Sequence, residues 1–342
     1  MSEEKTYVYE VEPGQELEID LFRPEDAEGV ARLFLSVYGD GYPVRTFIDP
    51  DQLIRENAAS RTISSVARTR KGEIVGHNAL FNSAAFEGTY ESGAGAVHAL
   101  YRGGAGIFTN MVAHGLEIAA KRPDIVTTFG EPVCNHLFSQ KLVKRAGYIT
   151  RAMEVDLMPA AAYTKEKSAS GRVSAFLAFK TSQSRPQTIY IPSAYSGEFP
   201  VLYENMDDAR EFAPSQGRLP SESKTVLKTQ VFDFAGVARV AVHETGIDFS
   251  SVMEAEEKRV LDRNVIVIQV WLKLSWPWVG EAVDELRKRG YFLGGALPRW
   301  FNDDGLLMQK IMGQTNWEDI QLLDERAERL MDMVKKDRES VS

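Results

Sequence analysis

Gly103, Gly104, Ala105 and Gly106, inside the stretch 91-122, have the types and spacing to cradle a phosphate. Glycines reach backbone angles that side chains forbid and let a ligand approach the main chain, while a helix opening just beyond them offers N–H groups that lack intrahelical partners. A pyrophosphate suits such a turn. The spacing is not that of a nucleoside triphosphate loop, since no Gly-Lys-Ser/Thr follows. Nor is it the dinucleotide fingerprint, since no Gly-x-Gly-x-x-Gly opens the helix. The plainer alternative is that these glycines only turn the chain from strand to helix. Cys134 and His136 stand two residues apart, but proximity in sequence does not activate a thiol, and a buried or incidental cysteine is expected. His77, His98 and His114 are widely separated, with no HExxH or paired-cysteine pattern, so no metal is expected. His98 reads as part of a strand or its exit, and His114 as a helix residue rather than a general base.

The elements that position this turn follow from periodicity. Alternation at Leu17, Ile19 and Leu21 gives way to helical spacing at Val30, Leu33, Phe34 and Val37, with Pro24, Glu25 and Asp26 at the helix start. RTISSVARTR and EIVGHNALF form a hairpin about Lys71 and Gly72. After the turn, a helix presents Phe108, Val112, Leu116 and Ala119 on one face. DIVTTFG then reads as a strand, NHLFSQKLVKRAG as a short helix and GYITRAMEVDLMP as a strand. This order describes a mixed central sheet flanked by helices, of class α/β (α+β by some schemes).

Residues 159-185 are polar and turn-rich and mark the expected boundary between two domains, 1-160 and 186-342, although FLAF within them reads as a structured arm. Beyond, TVLKTQVFDF and GVARVAVHE alternate around an Ala-Gly turn, and VIVIQVWLKL is a strongly apolar strand. A helix starts near Trp278, with Val279, Ala282, Val283 and Leu286 on one face. YFLGGALPRWF is extended and Leu306, Leu307 and Met308 begin a last strand. A terminal helix from Asn316 carries Ile320, Leu323, Ala327, Leu330 and Val334 as its apolar stripe. LVKRAGYI at 142-149 and LRKRGYFL at 286-293 form a faint repeat, each placing a basic helix end before Gly and an aromatic strand start. The second copy lacks the glycine loop, Trp276, Pro277 and Trp278 offering no phosphate cradle, so the active site is expected in the first half. The role of the five tryptophans, all in the second half, stays open between core and cleft.

With 342 residues, net charge -9 and 44% hydrophobic residues, the chain can bury a substantial core, and its acidity argues against nucleic acid or anionic membrane as its main partner. The single cysteine excludes an internal disulfide framework, no apolar run reaches membrane-spanning length, and the first twenty residues resemble no secretion signal. A cytoplasmic protein is expected.

Over roughly 17-157 the sequence resembles the GCN5-related N-acetyltransferase superfamily. The family's loop generally has a basic or amide residue, two residues, Gly, one residue, then Gly or Ala. In YRGGAGIFTNM, Gly106-Ile107-Phe108 matches the later part, which leaves Arg102 one residue too far upstream and Phe108 at the small position; taking Arg102 as the first residue puts Ala105 and Ile107 at the small positions. The resemblance implies acetyl-CoA or another acyl-CoA as cosubstrate, its pyrophosphate held by N–H groups around Gly103, Gly104 and Gly106 with Arg102 as an added cation. Backbone at 97-101, including His98 and Leu100, would align the pantetheine, with Ile107 and Phe108 beyond the turn. It further implies a small-molecule or peptide amine as acceptor, and the faint repeat with the second run of strands and helix then suggests a second, degenerate acetyltransferase-like domain in tandem; oligomerisation stays open.

Asn135 and Gly147-Tyr148 match later family elements, but Val143 stands where the family commonly carries a tyrosine. Valine cannot protonate the departing thiolate, so another group or water is the acid, the acid is dispensable, or the domain is catalytically silent. Asn135 either bonds a ligand or caps the following helix. Glu131, at a strand end beside Asn135, is the first candidate to take the amine's proton, with Glu91 the alternative. Phe34, Tyr38 and Tyr42 lie where the family often builds its acceptor pocket, or pack in the core. The competing reading is a noncatalytic CoA-binding or regulatory protein. A phosphotransferase ranks lower because the triphosphate-loop lysine is missing.

Overall fold

A meander of four antiparallel strands carries the glycine turn. The computed structural model describes residues 7–40, 42, 44–103, 106–160, 171–206 and 209–341. It falls into two compact units, residues 1–128 and 129–342.

In the first unit, β1 (Leu17–Leu21) leads into α1 (Ala27–Tyr38), followed by α2 (Pro50–Ala58), β2 (Thr62–Thr69), β3 (Ile74–Asn82), β4 (Thr89–Val97) and α3 (Ile107–Lys121). Each strand pairs antiparallel with the next, from β1 to β4. Pro24 sets the first turn before α1, and the buried Asp26 there binds Arg68 of β2 at 2.6 Å. Asp49 caps α2 by accepting from Gln52 N at 2.9 Å. β2 is buried along its whole length, because helices cover both faces. Val66 and Ala79 pack with Phe34 and Phe47 on the α1–α2 side, and Ala67 and Val75 with Ile107 and Met111 on the α3 side. The buried stripe of α3 is Ile107, Met111, Val112, Gly115 and Ala119, whereas Phe108 and Leu116 are only half-buried. The observed stripe is thus rotated by about one residue from the expected one, with Met111 packed against Gly76 and Gly115 beside Leu80.

Strand β5 (Thr127–Gly130) spans the division between units. The second unit continues with α4 (Phe138–Arg145), β6 (Ile149–Pro159), β7 (Arg172–Thr181), β8 (Gln187–Ile191), α5 (Phe199–Leu202), β9 (Arg210–Pro214), β10 (Val226–Phe232) and β11 (Val237–Glu244). It ends with α6 (Phe249–Leu261), β12 (Val267–Lys273), α7 (Val279–Lys288), β13 (Phe292–Leu297), β14 (Gly305–Ile311) and α8 (Glu325–Val341). Its mixed sheet runs β7-β6-β13-β14-β12-β11-β10, and β8 and β9 form a separate parallel pair. The FLAF segment is the middle of β7, which pairs along β6, so residues 172-181 are sheet and not linker. Residues 161-170 lie outside the described residues. A large core unites Val240, Val270, Val283, Leu293 and Met308 with Leu330 and Val334 of α8. The terminal helix begins at Glu325 rather than Asn316, leaving Ile320 and Leu323 in the approach to it.

Candidate acyl-transfer site

Strand β4 does not run straight into the glycine turn. His77 pairs with Ala96 and Ala79 with Gly93, so two steps along β3 face three along β4, and the extra residue falls at Ala94-Gly95. This is a β-bulge, and Ala94 sits at φ +50°, a left-handed conformation that costs a non-glycine residue roughly 1–2 kcal/mol. Both carbonyls of the bulge are held. His77 Nδ1 lies 2.9 Å from Ala94 O, and the Tyr38 hydroxyl donates to Gly95 O. The ring of Phe108 lies over Gly95, where a Cβ would collide with it. A bulge leaves its extra residue unpaired and disrupts the ladder locally, so that a backbone amide there can be offered to a ligand's oxygen.

Strand β4 ends at Val97, a 3-10 turn follows at Ala99–Tyr101, and α3 opens at Ile107. Gly103 has φ +81° and Gly106, the N-cap of α3, φ +62°; a Cβ on either would meet nothing within 4 Å. Backbone angle, not crowding, therefore demands glycine at both. Among the described residues no side chain caps α3, whose first-turn N–H groups carry the positive end of the helix dipole. Beside it lies a cavity of about 470 Å³ lined by Leu100, Tyr101, Arg102, Ile107, Asn110 and the segment Gly14–Leu17. Arg102 is exposed and donates through Nε to Val97 O at 2.9 Å.

The structure thus gathers Leu100, Arg102, Gly103, Gly106, Ile107 and Phe108 at one turn. Gly104 and Ala105 lie outside the described residues. His98 is tied into the fold through both ring nitrogens: Nε2 faces Tyr9 O at 3.0 Å, and Nδ1 accepts from Leu100 N at 3.4 Å. Its backbone is engaged too, the N–H donating to Val75 O and the carbonyl accepting from Tyr101 N, each at 2.9 Å. His114 Nδ1 lies 2.9 Å from Ser65 Oγ, in keeping with a helix residue satisfied by its neighbour.

On the α1 side of the bulge, Tyr42 stacks on Tyr38 at 4.9 Å between ring centroids and packs 5.0 Å from Phe34. Phe34 is core, Tyr38 is 45% exposed, and burial pushes the Tyr42 hydroxyl far above its ordinary pKa, with the nearby Tyr38 and Glu91 adding to the effect. Glu91 accepts from Ser83 Oγ at 2.7 Å and lies across from Phe81 in the ladder. An aromatic patch with one carboxylate beside a bulge can receive an amine.

Glu131 and Asn135 belong to the second unit. Arg239 Nη2 bridges Glu131 Oε1 at 2.8 Å and Glu154 Oε1 at 2.9 Å, and Gln269 Nε2 also donates to Glu154. Glu154 is fully buried; loss of water, and then the Glu131 charge beside it, hold its carboxyl well above the usual range, at about 8. Asn135 is 5% exposed, and its carbonyl accepts from Gln321 Nε2 at 3.1 Å. Cys134 is buried and its thiol is pushed upward by burial, so it is not a poised nucleophile. Val143 is half-buried on α4. Among the described residues no group of three or more His, Cys, Asp or Glu is placed to hold a metal, and no helix is long and apolar enough to cross a membrane.

Arg239 and Glu154 were not singled out from sequence, and His77 figured there only among the histidines weighed as metal ligands. The bulge had a signal in SGAGA, where small residues interrupt the alternation of a strand. The Glu131–Arg239 pairing had none, since 108 residues separate its members.

No protein-family profile and no curated protein matches the chain. Solved structures do align with part of it. The ribosomal-protein-S5-alanine acetyltransferase from Vibrio fischeri is 14% identical with a TM-score of 0.38, over 51% of this chain and 96% of its own. A ribosomal-protein-alanine N-acetyltransferase from Brucella melitensis is 17% identical with a TM-score of 0.39, over 48% and 99%. A GNAT superfamily phosphinothricin acetyltransferase from Sinorhizobium meliloti, in complex with AcCoA, is 11% identical with a TM-score of 0.39, over 48% and 88%. The chain is similar to acetyltransferases of known structure over about half its length, at identities and scores that leave its activity to be argued from its own residues.

Proposed function

We propose that the chain is an acyltransferase that moves an acetyl or related acyl group from CoA to an amine by direct attack. The observation that carries this reading is the run of backbone from the β4 bulge through the glycine turn into α3. The open turn receives the pyrophosphate, with Arg102 as an accessory cation, and the bulge amides face the thioester carbonyl. The amine nitrogen attacks that carbon, the C–S bond breaks, and an amide and CoA thiolate result. The amine's proton passes to Glu131, with Glu91 the competing acceptor, and the thiolate takes its proton from water because Val143 has none to give. The remaining site residues, His98, Leu100, Ile107, Phe108 and Asn135, shape or orient the cofactor.

Calorimetry on the intact chain tests the binding step. Acetyl-CoA should bind, Gly106→Trp should abolish binding, and Gly106→Asn, tolerable at a left-handed position, should preserve the fold. No binding by the parent at high micromolar acyl-CoA overturns the proposal. Val143 favours a second reading, a CoA-binding regulatory protein without catalysis. Thiol release with mixed amine acceptors, checked by product mass, separates the two: binding without acylated product supports the second. We further propose that residues 186-342 form a degenerate second acetyltransferase-like domain, and that the acceptor is a small-molecule or peptide amine met in the cytoplasm.

A further inference from the structure

A histidine without solvent contact reaches the bulge from behind. His77 of β3 is fully buried against the stacked Phe34 and Phe47 rings, with centroids 5.2 and 5.3 Å away. Its Nδ1 lies 2.9 Å from Ala94 O, and its Nε2 lies 2.9 Å from Ser64 Oγ. A carbonyl only accepts, so Nδ1 carries the hydrogen; a neutral imidazole then accepts at Nε2, and the Ser64 hydroxyl must donate. Ser64 Oγ in turn receives Asn57 Nδ2 at 3.3 Å, and Asn57 Oδ1 accepts from Ser64 N at 2.9 Å. One directed chain therefore runs from Asn57 of α2 through Ser64 and His77 to the carbonyl of the strained Ala94.

The peptide plane makes this consequential. The carbonyl of Ala94 and the N–H of Gly95 share one rigid trans unit and point in opposite directions, so holding the first aims the second. Tyr38, on Gly95 O, aims the Ala96 N–H in the same way. We propose that His77 is a positioning residue that fixes the β4 bulge and so sets where the Gly95 N–H meets the acyl carbonyl. This deepens the acyltransferase reading and rests on it for the catalytic consequence. The backbone consequence stands by itself.

The experiment uses the full chain and three variants. His77→Phe keeps a ring and removes both bonds; His77→Asn keeps a donor near the Nδ1 position; Ser64→Ala removes the hydroxyl that selects the tautomer. Amide hydrogen exchange at Gly95 is expected to speed by about tenfold in His77→Phe and to stay near the parent in His77→Asn. With acetyl-CoA and a working acceptor, kcat should fall about 100-fold in His77→Phe while KM for acyl-CoA moves less than about threefold, and His77→Asn should recover most of the loss. Unchanged Gly95 exchange in a folded His77→Phe overturns the proposal, as does kcat falling equally in Phe and Asn variants. Should His77→Phe fail to fold, Ser64→Ala decides by the same two readouts. A parent that transfers no acyl group refutes the enzymatic reading, while the exchange result still decides whether His77 holds the bulge.

Discussion

Glu131 and Glu91 are the two proposed acceptors of the amine's proton. Glu131 sits under Arg239 beside the buried Glu154, and Glu91 sits beside Ser83 near the bulge. Glu131→Gln can keep its oxygen on Arg239, so if Glu131 is the base the variant loses turnover and not structure. A loss of about 100-fold or more in kcat, with CoA affinity within a few-fold, is expected from steady-state kinetics. A loss under about threefold, with chemistry limiting, moves the role to Glu91, for which Glu91→Gln then shows the larger effect. Burial also leaves signatures in stability. Glu154 holds its proton more tightly folded than unfolded, so its stabilisation is full below pH 4.5 and is lost as pH rises towards about 8. Melting temperature measured across this window should fall in the parent and fall less in Glu154→Gln. His77 works in the other direction. Burial lowers it from 6.5 to about 4, so its contribution is full above pH 6.5 and is lost as pH falls through 4. Acid titration of His77→Asn should lack this component. Sequence alone showed Glu131 as a strand-end carboxylate but not its partners, because a cluster assembled from residues 131, 154, 239 and 269 is set by strand order and leaves no local spacing to read.

At the level of elements, the contact of α3 with β4 depends on a missing side chain. Gly95→Ala would force a methyl into the Phe108 ring, so it should cost about 1–3 kcal/mol by denaturant unfolding, and Phe108→Ala in the same chain should relieve most of that cost. Additive effects would show that the ring moves aside freely. Periodicity disclosed α1, α3, α7 and most strands, because each carries a continuous apolar face. It did not disclose α6, whose buried positions are Phe249, Met253, Glu257 and Val260; a glutamate in the stripe, 3.5 Å from Lys310, interrupts the apolar pattern. The start of α8 had a local signal that apolar spacing obscured. Asp324 accepts from Ala327 N at 3.1 Å, an N-cap that places Ile320 and Leu323 before the helix. The faint repeat has matching geometry: α4 ends before Gly147 at φ +83° and the buried Tyr148, and α7 ends before Gly290 at φ +83° and the buried Tyr291. The strands that follow, β6 and β13, pair with each other antiparallel at Ala152 and Gly295.

Across the whole molecule, the chain order β3 β4 α3 β5 α4 β6 β7 recurs as β10 β11 α6 β12 α7 β13 β14. In this register the counterpart of the glycine turn is residues 245-248, before α6, and not the segment from Trp276 to Trp278, which precedes α7. Helix order decides this, and it was hidden as long as α6 was hidden. The counterpart turn is closed. A Cβ on Gly246 would collide with the Ser223 carbonyl, Gly246 N donates to Thr225 Oγ1 at 3.0 Å, and Asp248 accepts from Thr225 N at 2.9 Å. Residues 223-225 thus fill the turn before α6, and the Thr225 N–H, with the hydroxyl and Lys224 behind it, keeps the Asp248 carboxyl below its usual range and therefore anionic at the N-terminal end of that helix. Acyl-CoA should therefore bind the intact chain with a stoichiometry of one. Saturation at about 100 times Kd should stabilise the unit that binds it by about 2.7 kcal/mol, visible as a rise in melting temperature that Gly106→Trp removes. Substituting Asp248→Asn should leave the stoichiometry at one, because the backbone of residues 223-225 still fills the turn. Two equivalents bound per chain would refute the closed-turn argument, and with it the assignment of the acyl-CoA site to the first half alone.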